Sequence, residues 1–294
     1  KLGPRPLDTR GFAMSKRSAS RCPSASTSRP ILIIGVTTSD RANEVAYFDR
    51  TWAASVPARA VADTVWYTDS WRTPTPRCAH ILPKATDVLT RRVQILDDVY
   101  ARYRHHLWYV VVEDDVYVYP TRLAEELHKL NATASLLVGR VHFAPRGFGQ
   151  FLNGGSGAIY TRPALSALVE DSRAGRCPRI FYSHFGKAAT WTEGNRHGNV
   201  DLVLSKCSTL PKRARLVPLC GFYNVPPRFL SKRPGRFGHN VSTALGPGSP
   251  TSFLDGCTSA GAECAPITFN GVKSLRHAME LHQSSMRPCL QHSP

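Results

Sequence analysis

The chain has 294 residues, of which 42% are hydrophobic and 20% charged, so it can bury the core of one large domain and is not a wholly disordered protein. Lysine and arginine total 38 against 21 acidic residues, and the formal net charge of +17 favours an anionic partner such as nucleic acid, lipid headgroups or a diphosphate. The basic residues are scattered and form no aromatic-interleaved run, so the sequence lacks an RNA-binding signature.

Residues 1–29 are rich in Ser, Arg and Pro and lack apolar periodicity, which predicts a disordered stem or arm. No apolar run approaches the length of about 20 residues that spans a bilayer, and no hydrophobic signal core precedes residue 30. Because the first residue is Lys1 rather than Met, we expect a fragment or mature form that lacks an upstream anchor or signal.

Folded structure is predicted from residue 30 to residue 283, with a tail over 284–294. Residues 31–34 read Ile-Leu-Ile-Ile and precede a glycine, which is typical of a buried strand that runs into a loop. Residues 65–67 predict a second such strand. A helix follows, because apolar residues step by four, three and four positions: Leu89, Val93, Leu96 and Tyr100.

An unbroken apolar run over residues 108–112 predicts a strand buried on both faces, with Glu113, Asp114 and Asp115 at its carboxyl end. Another short helix is marked by Leu123, Leu127 and Leu130. Alternating strands and helices predict an α/β sheet with parallel pairing, whose ligands gather at the strand carboxyl ends. Burying three carboxylates is costly unless a divalent cation compensates them; the alternative is a solvated acidic turn.

A glycine-rich segment, residues 153–158, is followed by Ile159, Tyr160 and then Arg162-Pro163. Glycines permit close backbone approach, as a substrate-facing loop that leads into a helix would require, although a plain tight turn is the alternative. The spacing matches neither a Walker loop nor a dinucleotide fingerprint, which excludes ATPase and dehydrogenase functions.

Asp201 lies within the apolar, helix-like segment 199–204. Burial there would raise the pKa of its carboxyl towards the range of a general base, whereas the alternative is a helix-capping aspartate. Neither a G-x-S-x-G elbow nor an H-E-x-x-H motif occurs, so hydrolase signatures are missing. Farther on, residues 228–265 are dense in Gly, Ser, Pro and Arg, which predicts a long loop or insertion.

Eight cysteines occur without a C-x-x-C pair, so the spacing of a zinc ribbon is missing and disulfides in an oxidising compartment fit better. Two N-glycosylation sequons, Asn131-Ala-Thr133 and Asn240-Val-Ser242, agree with a secretory location.

Six segments, taken in order, resemble the Fringe-like glycosyltransferases, and most closely the core 1 β1,3-galactosyltransferases that act on N-acetylgalactosaminides. They are residues 36–38, 50–52, 67–69, 108–118, 154–157 and 200–202, and the resemblance covers roughly residues 30–283. It implies a GT-A fold, that is, a Rossmann-like mixed, largely parallel sheet flanked by helices. It also implies a UDP-sugar donor and manganese as the divalent cation.

The resemblance assigns roles to particular residues. Asp201 is the implied catalytic base, Asp115 the implied metal ligand, and Asn270 stands where the family has a metal-binding histidine. The positions implied near the nucleotide or donor sugar are Thr37, Thr38, Asp69, Glu113, Asp114, Gly154, Gly155, Ser156 and Gly157. Two positions differ from the family, since Val200 replaces an acid and Ser205 replaces a glycine. Cys207 matches a family cysteine, which implies that it pairs with Cys177.

We therefore expect an inverting hexosyltransferase that moves galactose from UDP-galactose to a hydroxyl of a glycoprotein glycan in β1,3 linkage. It would reside in the Golgi or ER lumen as a type II membrane protein whose anchor is absent from this chain. One alternative is a Fringe-type N-acetylglucosaminyltransferase, or a xylosyl or glucosyl equivalent. Others are a catalytically inactive relative and a basic nucleic-acid-binding protein, although no nucleic-acid partner is expected.

Overall fold

A computed structural model describes twelve stretches of the chain: residues 22–23, 29–37, 48, 51–53, 61–68, 78–82, 88–144, 149–177, 199–210, 213–219, 221–223 and 268–269. The first strands are β1 (Ile31–Val36), β2 (Ala62–Thr68), β3 (Ala79–Ile81), β4 (Trp108–Glu113), β5 (Tyr117–Val118) and β6 (Leu136–Gly139). The later strands are β7 (Val141–Ala144), β8 (Gly149–Leu152), β9 (Ala158–Thr161), β10 (Arg215–Pro218), β11 (Phe222–Tyr223) and β12 (Thr268–Phe269). The helices are α1 (Val88–Tyr103), α2 (Pro120–His128), α3 (Arg162–Arg173) and α4 (Asn199–Thr209).

Within the described residues, the main sheet has seven strands in the order β10-β6-β9-β4-β1-β2-β3. Strand β1 pairs in parallel with β2 and β4, β2 with β3, and β10 with β6. Strand β9 runs antiparallel to both of its neighbours, β4 and β6. The prediction of a mixed, largely parallel α/β sheet is therefore confirmed.

Both faces of the sheet are covered, which explains why β1 and β4 read as unbroken apolar runs. Alternate residues of each strand point to opposite faces, so Ile31 and Val110 belong to one core cluster while Leu32 and Val111 belong to the other. The first cluster includes buried leucines of α2. The second is built with apolar residues of α1, α3 and α4.

Helix α1 is present where it was predicted, but its buried stripe is rotated. Its fully buried side chains are Leu89, Ile95, Leu96, Val99 and Tyr103. Val93 and Tyr100, which were expected on the buried face, are only partly buried. The stripe therefore steps through residues 89, 92, 96, 99 and 103, and residue 92 is an arginine.

The glycine-rich segment does not lead directly into a helix, as was expected. It forms a short 3-10 turn, Gly154–Ser156, and then enters strand β9, after which α3 begins. The apolar residues after the glycines form a strand that pairs with β4 on one side and β6 on the other, so Ile159 lies opposite both Val110 and Val138. The error arose because the apolar run over residues 158–160 is too short to show a periodicity that distinguishes a strand from a helix.

Two disulfides lie within the described residues, Cys22–Cys78 and Cys177–Cys207. The second, which joins the residues after α3 to helix α4, confirms the pairing implied by the family resemblance. Two residues of the predicted arm contact the domain, since Cys22 is bonded to Cys78 and Arg29 Nη1 lies 2.5 Å from Asp63 Oδ1. The arm boundary itself stays a prediction, and the predicted loop 228–265 lies outside the described residues.

Among the described helices, none combines the length and apolarity needed to cross a bilayer.

Candidate functional site

The carboxyl ends of β1 and β4 bring the first predicted site residues together. These strands are adjacent and parallel, and their register sets Val36 opposite Glu113. The residues that follow, Thr37 and Asp114, therefore meet at the rim of the sheet. Both are buried, and the Thr37 hydroxyl donates a hydrogen bond of 2.8 Å to Asp114 Oδ2.

Helix α1 contributes two arginines to this rim. Arg92, whose side chain is only 12% exposed, forms an ion pair with the Glu113 carboxylate. Its neighbour Arg91 donates to the main-chain carbonyl of Thr37. Glu113, whose side chain is 41% exposed, and the buried Asp114 thus each have a partner within the protein. The cost of placing these two acids at the rim is therefore offset in part without a cation.

The third acid, Asp115, lies half-buried in the turn between β4 and β5, and the family resemblance assigns it to a divalent cation. Hard cations are commonly held by one or two carboxylates together with substrate phosphates and water, so this donor set fits such an ion. Within the described part of the chain, the one set of three candidate ligands close enough to share an ion is Cys22, Cys78 and His80. There the two sulfur atoms already form a disulfide.

The 3-10 turn Gly154–Ser156, called the glycine turn below, is hydrogen-bonded to Asp201. The Gly154 N–H donates a 2.8 Å hydrogen bond to Asp201 Oδ2, and a methyl group added at Gly154 would lie 2.8 Å from Asp201 Cγ. Asp201 stands in the first turn of α4 and accepts this bond from a distant loop. Glycine is therefore needed at 154 for close approach, and at 157 because the backbone there has φ of 109°.

Other side chains fix the two ends of this turn. The Asn153 side chain accepts a 3.0 Å hydrogen bond from the Gly155 N–H. The Thr268 hydroxyl, on β12, donates a 2.6 Å hydrogen bond to the Ser156 carbonyl. Strand β12 also pairs with β5, which follows the acidic run. This small sheet therefore joins the glycine turn to residues 113–115, called the acidic rim below.

Ser205, which replaces a family glycine, has a structural partner in β8. Its buried hydroxyl accepts a 2.9 Å hydrogen bond from the Leu152 N–H. Leu152 immediately precedes the glycine-rich segment, so this bond ties α4, and with it Asp201, to that segment. The hydroxyl of Ser205, where the family has a glycine, thus has a hydrogen-bond partner inside the protein.

The charges around Asp201 form one cluster. Burial raises the pKa of the Asp201 carboxyl above its ordinary range, while the Arg92 guanidinium and the Gly154 N–H oppose that rise and Glu113 adds to it. Burial alone would lower the pKa of Arg92, but the Glu113 and Asp201 carboxylates raise it. Tyr160, buried on β9, has its pKa raised by burial and by Asp201, against the effect of Arg92. A carboxylate in this setting is suited to accept a proton.

Sequence reasoning missed Arg92, Tyr160 and Asn153. Arg92 carried a usable signal, because a charged residue inside the apolar stripe of a helix needs a buried partner. Tyr160 and Asn153 carried none, since their roles depend on pairing between distant segments. Three predicted site residues, Thr38, Asp69 and Asn270, lie outside the described residues; Asn270 is the residue that follows β12 in sequence.

Comparison with solved structures decides the fold. The chain aligns with the bifunctional glycosyltransferase WbbM at a TM-score of 0.51 and 8% identity, over 91% of this chain and 51% of that one. The mixed sheet of this chain and its flanking helices therefore form a GT-A fold. The likeness concerns the fold alone, since the identity is so low, and the chain spans about half the length of WbbM.

Two other glycosyltransferase structures align with the chain at lower TM-scores. One acts in glycosylation of the major capsid protein of PBCV-1, with a TM-score of 0.45 and 11% identity over 86% of this chain and 98% of that one. The other is the galactosyltransferase LgtC in complex with donor and acceptor sugar analogues, with a TM-score of 0.45 and 8% identity over 87% and 97%. No family model matches the sequence, and no curated protein matches it.

Proposed function

We propose that the chain is an inverting glycosyltransferase that transfers a hexose from a UDP-sugar to a hydroxyl group of a glycan acceptor. The observation that carries this proposal is the desolvated Asp201 carboxylate, held by the Gly154 N–H in the same charge cluster as the acidic rim. A GT-A fold accounts for why a base and an anion-binding rim would share one edge of the sheet.

In the proposed reaction, Asp201 takes the proton of the acceptor hydroxyl while the acceptor oxygen attacks the anomeric carbon. The bond from that carbon to the diphosphate breaks, and the configuration inverts because attack comes from the opposite side. The Gly154 N–H orients the carboxylate, and the short turn keeps the base at a fixed position. A positioned base of this kind contributes roughly 100- to 10,000-fold to the rate.

A divalent cation, when bound, would neutralise charge on the departing diphosphate. Asp115 is the proposed protein ligand, and Asn270 is the proposed second ligand. An amide oxygen binds a divalent ion more weakly than an imidazole does, so we propose that manganese affinity depends strongly on the donor phosphates. Thr37, Thr38, Asp69, Glu113 and Asp114 are proposed to line the nucleotide subsite.

Galactose, the β1,3 linkage and an N-acetylgalactosaminide acceptor are proposed from the resemblance to the core 1 enzymes. The Cys177–Cys207 disulfide supports this choice, since the cysteine at 207 is the feature shared with that group. The two described disulfides also support residence in an oxidising compartment, and the Golgi or ER lumen is proposed.

The proposed activity is tested with a panel of UDP-sugars, manganese and aryl N-acetylgalactosaminide acceptors, with product detected by mass spectrometry. We expect one hexose to be added from UDP-galactose, and the addition to be lost in both Asp115→Ala and Asp201→Ala. Transfer of N-acetylglucosamine instead would support a Fringe-type enzyme. Tight UDP binding without transfer to any acceptor would indicate an inactive relative, and salt-sensitive nucleic-acid binding without UDP binding would overturn the proposal.

The pH dependence follows from the charges around Asp201. The base must be ionised, so the raised pKa of its carboxyl displaces the acid limb of kcat/KM above the ordinary aspartate range, and activity falls as the pH drops through it. Arg92→Gln removes the cation that opposes this rise, so the acid limb should move to higher pH, whereas Arg92→Lys should move it less. An acid limb that stays in place in Arg92→Gln would contradict the assignment of Asp201 as the base.

A further inference from the structure

One of the two sequons lies in a well-defined turn. Asn131 and Thr133 are exposed and follow helix α2, between that helix and β6. The Asn131 side-chain oxygen accepts hydrogen bonds from the Thr133 N–H at 2.9 Å and from the Thr133 hydroxyl at 2.7 Å. The turn is closed by a 3.2 Å main-chain bond from the Ala134 N–H to the Asn131 carbonyl.

Both contacts engage the side-chain oxygen of the exposed Asn131, and neither uses its amide nitrogen. A glycan on that nitrogen would therefore break none of these bonds. The alanine between the two residues is not proline, so the sequon meets the requirement for modification.

The turn lies at the end of the sheet where β4 and β6 begin, opposite the candidate site. It precedes the first residue of β6, which is parallel to β4 because both pair antiparallel with β9. Asn131 is thus near the amino-terminal ends of these strands, whereas the acidic rim lies at their carboxyl ends. A bulky, hydrated glycan at Asn131 would leave the site open.

We propose that Asn131 is an N-glycosylation site and carries an oligosaccharide on its side-chain nitrogen. In the modification, Asn131 Nδ2 attacks the anomeric carbon of an oligosaccharide linked to a polyprenyl pyrophosphate. A carbon–nitrogen bond forms, the carbon–oxygen bond to the pyrophosphate breaks, and one proton passes from the amide to a base of the transferring enzyme. The two disulfides agree with passage through the compartment where this donor is found.

The test is secretion of the full chain from a eukaryotic host behind a cleavable leader, followed by peptide mass spectrometry before and after digestion with an amide-cleaving glycosidase. We expect the peptide that contains Asn131 to carry a glycan. Asn131→Gln and Thr133→Ala should lose one glycan step on a gel, while Thr133→Ser, which keeps the hydroxyl, should retain it. Asn240→Gln is the control for the other sequon and should leave the glycan at Asn131 in place.

An unmodified Asn131 peptide in wild-type protein that is secreted with its disulfides formed would overturn the proposal. So would an Asn131→Gln chain with the same glycan content as wild type. Site occupancy is read on the wild-type chain itself, so a variant that folds poorly does not obscure the result. Neither outcome depends on whether the protein transfers a sugar.

Discussion

Asp201→Asn is expected to lower kcat by roughly 100- to 10,000-fold and to leave UDP binding close to that of the wild type. Asparagine has the size of aspartate, and its side-chain oxygen can still accept the hydrogen bond from the Gly154 N–H. The glycine turn should therefore keep its position, while the group that accepts the proton is lost. The measurement is steady-state transfer together with calorimetric titration of UDP.

The matched control is Asp97→Asn, the same chemical change on the surface of α1. Asp97 pairs with Arg173, whose side chain is 52% exposed, so this ion pair contributes little and the variant should transfer sugar at the wild-type rate. If Asp201→Asn instead keeps its kcat and changes only KM, Asp201 binds substrate and is not the base.

Asp115→Asn is expected to weaken manganese-dependent UDP binding on the order of 100-fold or more. Loss of an outer partner of a metal ligand already costs about 10- to 100-fold in metal affinity, and loss of a direct carboxylate ligand should cost at least as much. Asp115 is chosen because it matches the metal-ligating acid of the resembled family and lies half-buried in the turn that follows β4. Calorimetry of UDP with and without manganese measures the effect.

Glu113→Gln is the matched control for that experiment. Its carboxylate already pairs with Arg92, so we expect manganese-dependent UDP binding to fall far less than in Asp115→Asn. UDP affinity without metal should be similar in the Asp115→Asn and wild-type proteins. An Asp115→Asn protein that binds UDP and manganese as the wild type does would remove Asp115 from the metal site.

The parts of the fold that could be predicted are those set by local patterns. The run before Glu113 was long and wholly apolar, so strand β4 was predictable, and so was the presence of an acidic rim at its end. The antiparallel insertion of β9 and the pairing of β5 with β12 were not, because a short apolar run does not specify its partners. Helix α1 also has apolar residues outside its buried stripe, such as Val93 and Tyr100, so the sequence alone did not determine which face is buried.

The candidate site shows the same division. The sequence alone singled out the acidic run and Asp201, but it explained the acids by a cation. For two of the acids, Glu113 and Asp114, the structure provides protein partners, and both partners are distant in the chain. Arg92 lies 21 residues before Glu113, and Thr37 lies 77 residues before Asp114, so neither contact has a local signature.

The distribution of charge at the rim sharpens the proposed roles. Arg92 is paired with Glu113 and also interacts electrostatically with Asp201, so it both neutralises one acid of the rim and opposes the rise in the pKa of the Asp201 carboxyl. The protein thus contributes positive charge of its own at the edge where the diphosphate is proposed to bind. This arrangement agrees with a metal held by few protein ligands.

The most direct test of the account is the anomeric configuration of the transferred sugar, determined by proton NMR of the product formed from UDP-α-galactose. Single displacement with Asp201 as the base predicts a β-linked galactoside at the first detectable turnover, with no α-linked product. An α-linked product would contradict the account, because retention of configuration cannot arise from one in-line displacement in which the acceptor hydroxyl attacks from the side opposite the diphosphate.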